Sequence, residues 1–203
     1  MSNDWRYFKF SIIQLKSRCA KFAESVYELS PDPVLLIGAK PKKRDTCAIN
    51  SRPTIVGGEL ASAREFPHMA LIGYGDYPIK WRCAGSLISD RWVISAAHCT
   101  VTPDNLVAKY VLLGDLNVTS KIDDLKQMAN PKIYQIVGHR NHPGYKKPLG
   151  DSGGPLQQAL QTPYCMYTLI GLTSVGNKCA AGAPGVYTRI RPYLSWIEST
   201  ASF

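Results

Sequence analysis

Two short stretches hold residue types able to do chemistry together. In Gly150-Asp151-Ser152-Gly153-Gly154-Pro155 a serine stands between an acid and two glycines. A serine hydroxyl is a poor nucleophile until a base takes its proton and nearby N–H groups hold the oxyanion. Glycine backbone can adopt positive φ and come close to a substrate. The N–H groups of Gly150 and Ser152 are candidates for such a hole. The second stretch is Ile94-Ser95-Ala96-Ala97-His98-Cys99, where an apolar run is closed by His98, 54 residues before Ser152. Its small alanines leave room for other groups, and His98 is the candidate base. Taken singly, the first stretch also reads as a glycine-rich turn and the second as a structural histidine.

These residues need a scaffold. The chain has 203 residues, 45% of them hydrophobic and 19% charged, which fits a folded domain or two rather than a disordered chain. Short runs rich in Val, Ile, Thr and Tyr are broken by Gly and Pro, the pattern of an all-β protein. Strands are expected at Met69 to Tyr74, Cys83 to Ile88, Trp92 to Ala97, Tyr110 to Leu113, Cys165 to Val175 and Gly185 to Ile190. Pro103-Asp104 and Asn130-Pro131 mark loops, and a short C-terminal helix opens near Pro192. The net charge of +9 is scattered apart from Lys40-Pro41-Lys42-Lys43-Arg44, so neither a nucleic-acid nor a membrane partner is expected. No uninterrupted apolar stretch is long enough to span a bilayer.

Ahead of the β-rich part, Leu15, Cys19, Phe22, Val26 and Leu29 fall on one face of a helix that Ser30-Pro31-Asp32-Pro33 would end. The basic run Lys40 to Arg44 then reads as solvated linker, and Cys47 lies in the same segment. Asp4 and the interruptions at Lys9, Ser11 and Gln14 make a poor secretory signal. The six cysteines (Cys19, Cys47, Cys83, Cys99, Cys165 and Cys179) show no zinc-like spacing, so no metal or cofactor is expected. Asn117-Val118-Thr119 is a glycosylation sequon, meaningful if the chain is exported.

With Ile55-Val56-Gly57-Gly58 added, the histidine and serine stretches occur in the order and company of the trypsin/chymotrypsin-like (S1) serine proteases. The chain resembles that family over about residues 55–203, most closely the insect clip-domain kind. Supporting stretches are Phe66-Pro67-His68-Met69-Ala70, Gly171-Leu172-Thr173-Ser174 and Pro184-Gly185-Val186-Tyr187-Thr188-Arg189. The resemblance implies a double β-barrel preceded by a propeptide-like region, 1–54. It makes Ser152 the nucleophile, His98 the general base, and Gly150 and Ser152 the oxyanion donors. It implies that Ile55 becomes an N-terminus on cleavage and pairs with Asp151, as in a zymogen. It further implies a Cys83–Cys99 disulfide, Ser174, Val175 and Gly176 as the strand that pairs with substrate, and Gly176 and Gly185 as pocket walls. The partners would be a protein or peptide substrate, or another protease, in an extracellular cascade.

The chain also departs from the family. The Asp-Ile-Ala-Leu segment that carries the third catalytic residue is missing. Instead His139-Arg140-Asn141-His142-Pro143-Gly144-Tyr145-Lys146-Lys147-Pro148 runs directly into Leu149-Gly150-Asp151. Asp123, Asp124 and Glu198 are poor substitutes, being loop or terminal-helix residues, and Asp151 is reserved for Ile55. In the family's triad, loss of the aspartate alone lowers kcat by about 10⁴. The expectation is therefore a first barrel nearly complete, a second about half, and a deletion junction near 148–149. Pro148 or Leu149 stands where the family keeps the cysteine that pairs with the Cys179 equivalent, so the pairing of Cys19, Cys47, Cys165 and Cys179 stays open. Lys146 stands six residues before Ser152, where trypsin-like members carry a pocket aspartate. Arg52-Pro53-Thr54 precedes Ile55, a poor site for trypsin-like activation. Three readings follow: an endopeptidase active after processing, a non-catalytic homologue that binds, or a shortened protease product with little or no activity.

Overall fold

Alternating apolar residues at Met69–Tyr74 place Ala70 and Ile72 on a buried face, and strand β3 forms over that range. The protein is described by a computed structural model at residues 21, 24, 27–30, 42–45, 61–62, 64–120, 129–145, 153–160, 166–175 and 185–201. Strands β1 (Tyr27–Ser30) and β2 (Lys42–Asp45) pair antiparallel, with Leu29 opposite Lys43. The other strands are β4 (Lys80–Leu87), β5 (Val93–Ile94), β6 (Ala108–Leu113), β7 (Lys132–Gln135), β8 (Pro155–Ala159), β9 (Tyr167–Val175) and β10 (Val186–Arg189). One five-stranded sheet has the order β5-β4-β3-β6-β7 and a smaller one β10-β9-β8, all pairs antiparallel. The register of β3 slips against both neighbours around Gly73, which bends the larger sheet into a curl. The architecture is mostly β, with two unequal main sheets beside the β1–β2 pair and a short C-terminal helix, α1 (Leu194–Ala201), as the all-β expectation had it.

Three sequence readings need correction. Leu29 lies in β1, not on the expected helix; Lys21 and Glu24 are helical, while Leu15, Cys19, Phe22 and Val26 lie outside the described residues. Lys42, Lys43 and Arg44 form β2 rather than linker, since backbone pairing with β1 overrides the weak strand propensity of lysine. The strand expected at Trp92 to Ala97 keeps only Val93–Ile94, and His98 sits in a 3-10 turn, Ala97–Thr100. Strands β7 and β8 escaped the sequence reading because both carry largely exposed side chains and show no apolar alternation.

Two cores hold the sheets. Ile72, Tyr74 and Cys99 form the first, with Cys83, Ala96, Leu106, Ala108 and Ile136 packed around them. Leu172, Ile190 and Ile197 form the second, which also takes Ile88 and Ile94 from the larger sheet's side of the molecule. Burying aliphatic side chains of this size contributes about 1.5–3 kcal/mol each, so the second core joins the two halves. A polar contact joins them elsewhere. His68 Nε2 bonds Gln157 Oε1, its ring lies 4.7 Å from that of Tyr167, and the Tyr167 hydroxyl donates to the Glu65 carbonyl at 2.7 Å. Burial holds the His68 imidazole below its ordinary pKa, partly offset by the Gln157 bond.

Candidate active site

The histidine turn is held from three sides. Cys99, buried, is bridged to Cys83 of β4 with Cα atoms 6.0 Å apart. Tyr74, fully buried at the end of β3, donates its hydroxyl to the Cys99 carbonyl at 2.6 Å. Burial raises the Tyr74 hydroxyl to about 12, against a lowering by the Arg82 charge, so it remains a donor at any physiological pH. Thr100 Oγ1 donates to the Ala97 carbonyl across the turn at 2.8 Å. The Cys83 and Cys99 sulfurs and a His98 ring nitrogen all lie within 4.8 Å of one another. With both sulfurs consumed by the disulfide, that trio offers one metal ligand rather than three.

Gly153, directly after Ser152, meets this turn. Its φ is +63°, and a Cβ there would fall 2.2 Å from Ser95 Oγ, 2.7 Å from the Ala84 carbonyl and 3.0 Å from the Ala96 nitrogen. Only glycine fits both the space and the dihedral. Ser95 Oγ donates to the same Ala84 carbonyl at 2.7 Å, which fixes the wall that Gly153 packs on. On its other side Gly153 donates to the Thr173 carbonyl at 3.2 Å, and the Gly154 carbonyl accepts from the Thr173 N–H at 2.8 Å and hydroxyl at 3.1 Å. The chain leaving the serine is thus clamped between the residues before His98 and the strand β9 that carries Ser174.

Ser174, partly buried, and His98 line one cavity of about 770 Å³. Ile94, Tyr134, Ile190 and Trp196 also line it, so it lies between the two sheets and α1. Val175 pairs with Val186, which places β9's end beside Gly185, an exposed residue packed near the Tyr187 ring. Asn117 is exposed in a turn where its Oδ1 accepts from the Thr119 hydroxyl at 2.7 Å. The structure therefore sets His98 and Ser174 on one cavity and packs Gly153 on Ser95 and Ala96, just ahead of the histidine. Gly150, Asp151, Ser152, Ile55, Gly176, the junction at 148–149, and Cys19, Cys47, Cys165 and Cys179 lie outside the described residues. Tyr74, Ser95 and Thr173 are positioning residues the sequence did not reveal; only the small Ser95-Ala96-Ala97 run signalled that something packs there.

Two antiparallel sheets facing across a cavity, with a disulfide-clamped histidine turn and a glycine wedge after a serine, define a serine-protease-like architecture. The family profile named Trypsin matches residues 55–148 and 144–197, and the chain belongs to that family. It is similar to Serine protease snk of Drosophila melanogaster, 27% identical over 252 residues that take in 75% of this chain and 58% of that protein. Serine protease Hayan of the same organism is 43% identical over 245 residues, covering 71% of this chain and 38% of the relative. The chain thus spans less than two thirds of these relatives' lengths. The Drosophila Grass clip serine protease of the Toll pathway shares the fold, with a TM-score of 0.59 at 18% identity, over 77% of this chain and 74% of that one. Among the described residues no helix is long and apolar enough to cross a membrane.

Proposed function

We propose that this chain is a zymogen-like serine endopeptidase of the extracellular cascade type that, without the aspartate segment, has little or no peptidase activity. His98 is the general base, Ser152 the nucleophile, and Gly150 and Ser152 the oxyanion donors. Ile55 and Asp151 form the activation pair, while Ser174, Val175, Gly176 and Gly185 receive the substrate. The carrying observation is that the family match falls in two pieces meeting at 144–148, immediately ahead of Gly150. A family member continuous through this region would match in one run. The alignment to snk points the same way: 252 positions use only 75% of a 203-residue chain, so long runs exist in the relative alone. A join near 148–149 removes the segment in which the family carries its aspartate. In this triad the loss of the aspartate alone lowers kcat by about 10⁴.

The Cys83–Cys99 disulfide supports an oxidising, extracellular setting, in which Asn117 is open to glycosylation. A fluorophosphonate probe tests the reading on purified protein after limited processing. Absent or trace labelling of Ser152 is expected; strong labelling that disappears in His98→Ala overturns it. A second reading, a non-catalytic homologue that binds a protease or substrate, is favoured by the packing that still joins the two halves at Tyr167 and Glu65. A single cooperative unfolding transition is the result that reading requires.

A further inference from the structure

The edge of β7 away from β6, unpaired among the described residues, adjoins the cavity beside His98. Ile136 donates its N–H to the Lys109 carbonyl at 2.9 Å, and the register continues Gln135–Tyr110, Tyr134–Val111, Ile133–Leu112. Hydrogen-bonded pairs alternate in an antiparallel ladder. Tyr134 and Lys132 therefore bond toward β6, whereas Ile133 and Gln135 turn their N–H and C=O groups the other way. Among the described residues no strand lies on that side. Ile133 and Tyr134 are half exposed and Val137 is fully exposed, a run of apolar surface that soluble proteins seldom leave on an open edge.

Beyond this edge the chain 136–142 becomes one wall of the 770 Å³ cavity, with a lining that is largely aliphatic and aromatic. A cavity of this size takes a ligand of several side chains. Its charged lining is basic: Arg91 and Arg140 are set against one acid, Asp90, which already pairs with Arg91 at 3.7 Å. The occupant that fits is thus described three ways. The edge calls for extended backbone, the lining for apolar side chains, and the charge for a carboxylate. The long runs present in relatives but not in this chain supply the reason for an open edge of this kind.

We propose that the β7 edge and the adjoining cavity receive an extended segment of another polypeptide, apolar on one face and carrying a carboxylate. The segment adds as a strand to the larger sheet, bonding the outward groups of Ile133 and Gln135. Its apolar side chains enter between Tyr134, Ile190 and Trp196, and its carboxylate meets Arg140 and His139. The inference rests on the reading that a segment is absent from this chain, but it concerns binding rather than catalysis.

The test titrates the purified full chain with two fluorescein-labelled peptides of alternating valine and threonine, one with a central aspartate and one with asparagine. Saturable binding of the aspartate peptide, at least about tenfold tighter than its twin, is expected. Amide exchange at Ile133 and Gln135 should slow when it binds. Val137→Glu, at a fully exposed site, should weaken it about tenfold, and Arg140→Gln should bring the two peptides toward equal affinity. Equal affinity in the unsubstituted chain, no saturable binding, or binding without protection at Ile133 and Gln135 overturns the proposal. So does a dimer of the chain alone whose β7 amides are already protected, since a second copy then fills the site. If Val137→Glu fails to fold, the exchange measurement and Arg140→Gln still decide. Strong fluorophosphonate labelling of the chain without peptide would refute the inactivity reading and leave these binding outcomes to stand separately.

Discussion

Tyr74 shows how one hydroxyl holds a functional turn. Its bond to the Cys99 carbonyl is made in a fully buried site, so nothing else replaces it when it is removed. Tyr74→Phe should cost about 1–3 kcal/mol, the penalty of an orphaned buried acceptor, read as a lower urea midpoint. His68 sets a pH dependence. Its folded pKa lies below the ordinary 6.5 because burial disfavours the cation. The unfolded chain then binds more protons at mildly acidic pH. Stability is full above 6.5 and falls as pH drops through 6.5 toward the lower folded value. A melting-temperature series against pH should show that decline. His68→Phe keeps a ring beside Tyr167 but cannot take a proton, so its contribution to the decline should vanish.

At the scale of elements, the sequence was most legible where packing repeats. Met69 to Tyr74 forms a strand over the expected span because alternate residues face a core. β7 and β8 were invisible because an exposed strand needs no apolar alternation. Leu29 leaves the expected helix for β1 because helical spacing cannot report a pairing partner such as Lys43. His98 and Gly153 were legible as types, while the seat of Gly153 depends on Ser95, Ala84 and Thr173, residues with no chemical signature. Two substitutions probe that junction. Gly153→Ala places a Cβ against Ser95 Oγ and the Ala84 carbonyl at positive φ, and should destabilise by about 1–3 kcal/mol or more. The paired change Cys83→Ala with Cys99→Ala opens a loop of sequence separation 16. It should lower unfolding free energy by about 3 kcal/mol in the chain-entropy picture, measured by denaturant titration.

For the whole molecule, the contrast between a five-stranded and a three-stranded sheet among the described residues is the central fact. The larger sheet has its own core around Ile72 and Tyr74. The smaller is stabilised by sharing Leu172, Ile190 and Ile197 with Ile88, Ile94 and α1. Trp196→Ala removes a large ring packed on that shared core and lining the cavity. Because the ring is only partly buried, it should cost about 1–3 kcal/mol, below the range for a core aromatic, with the loss appearing first in exchange protection of β8 to β10. The fold class was readable from the chain because short β runs dominate it.

The bond from Tyr167 to Glu65 spans 102 residues, and that from His68 to Gln157 spans 89. On a ribosome this sets an order of events. The five-stranded sheet has all its strands once Gln135 has emerged. The clasp behind it must wait for Tyr167, and the shared core for Ile190 and Ile197. The nascent chain therefore passes through an interval in which Ile88 and Ile94 are made before Leu172, Ile190 and Ile197, the residues they pack with. Long-range contacts of this kind are the slow ones in folding, and surface exposed in such an interval is where chaperones act and aggregation begins.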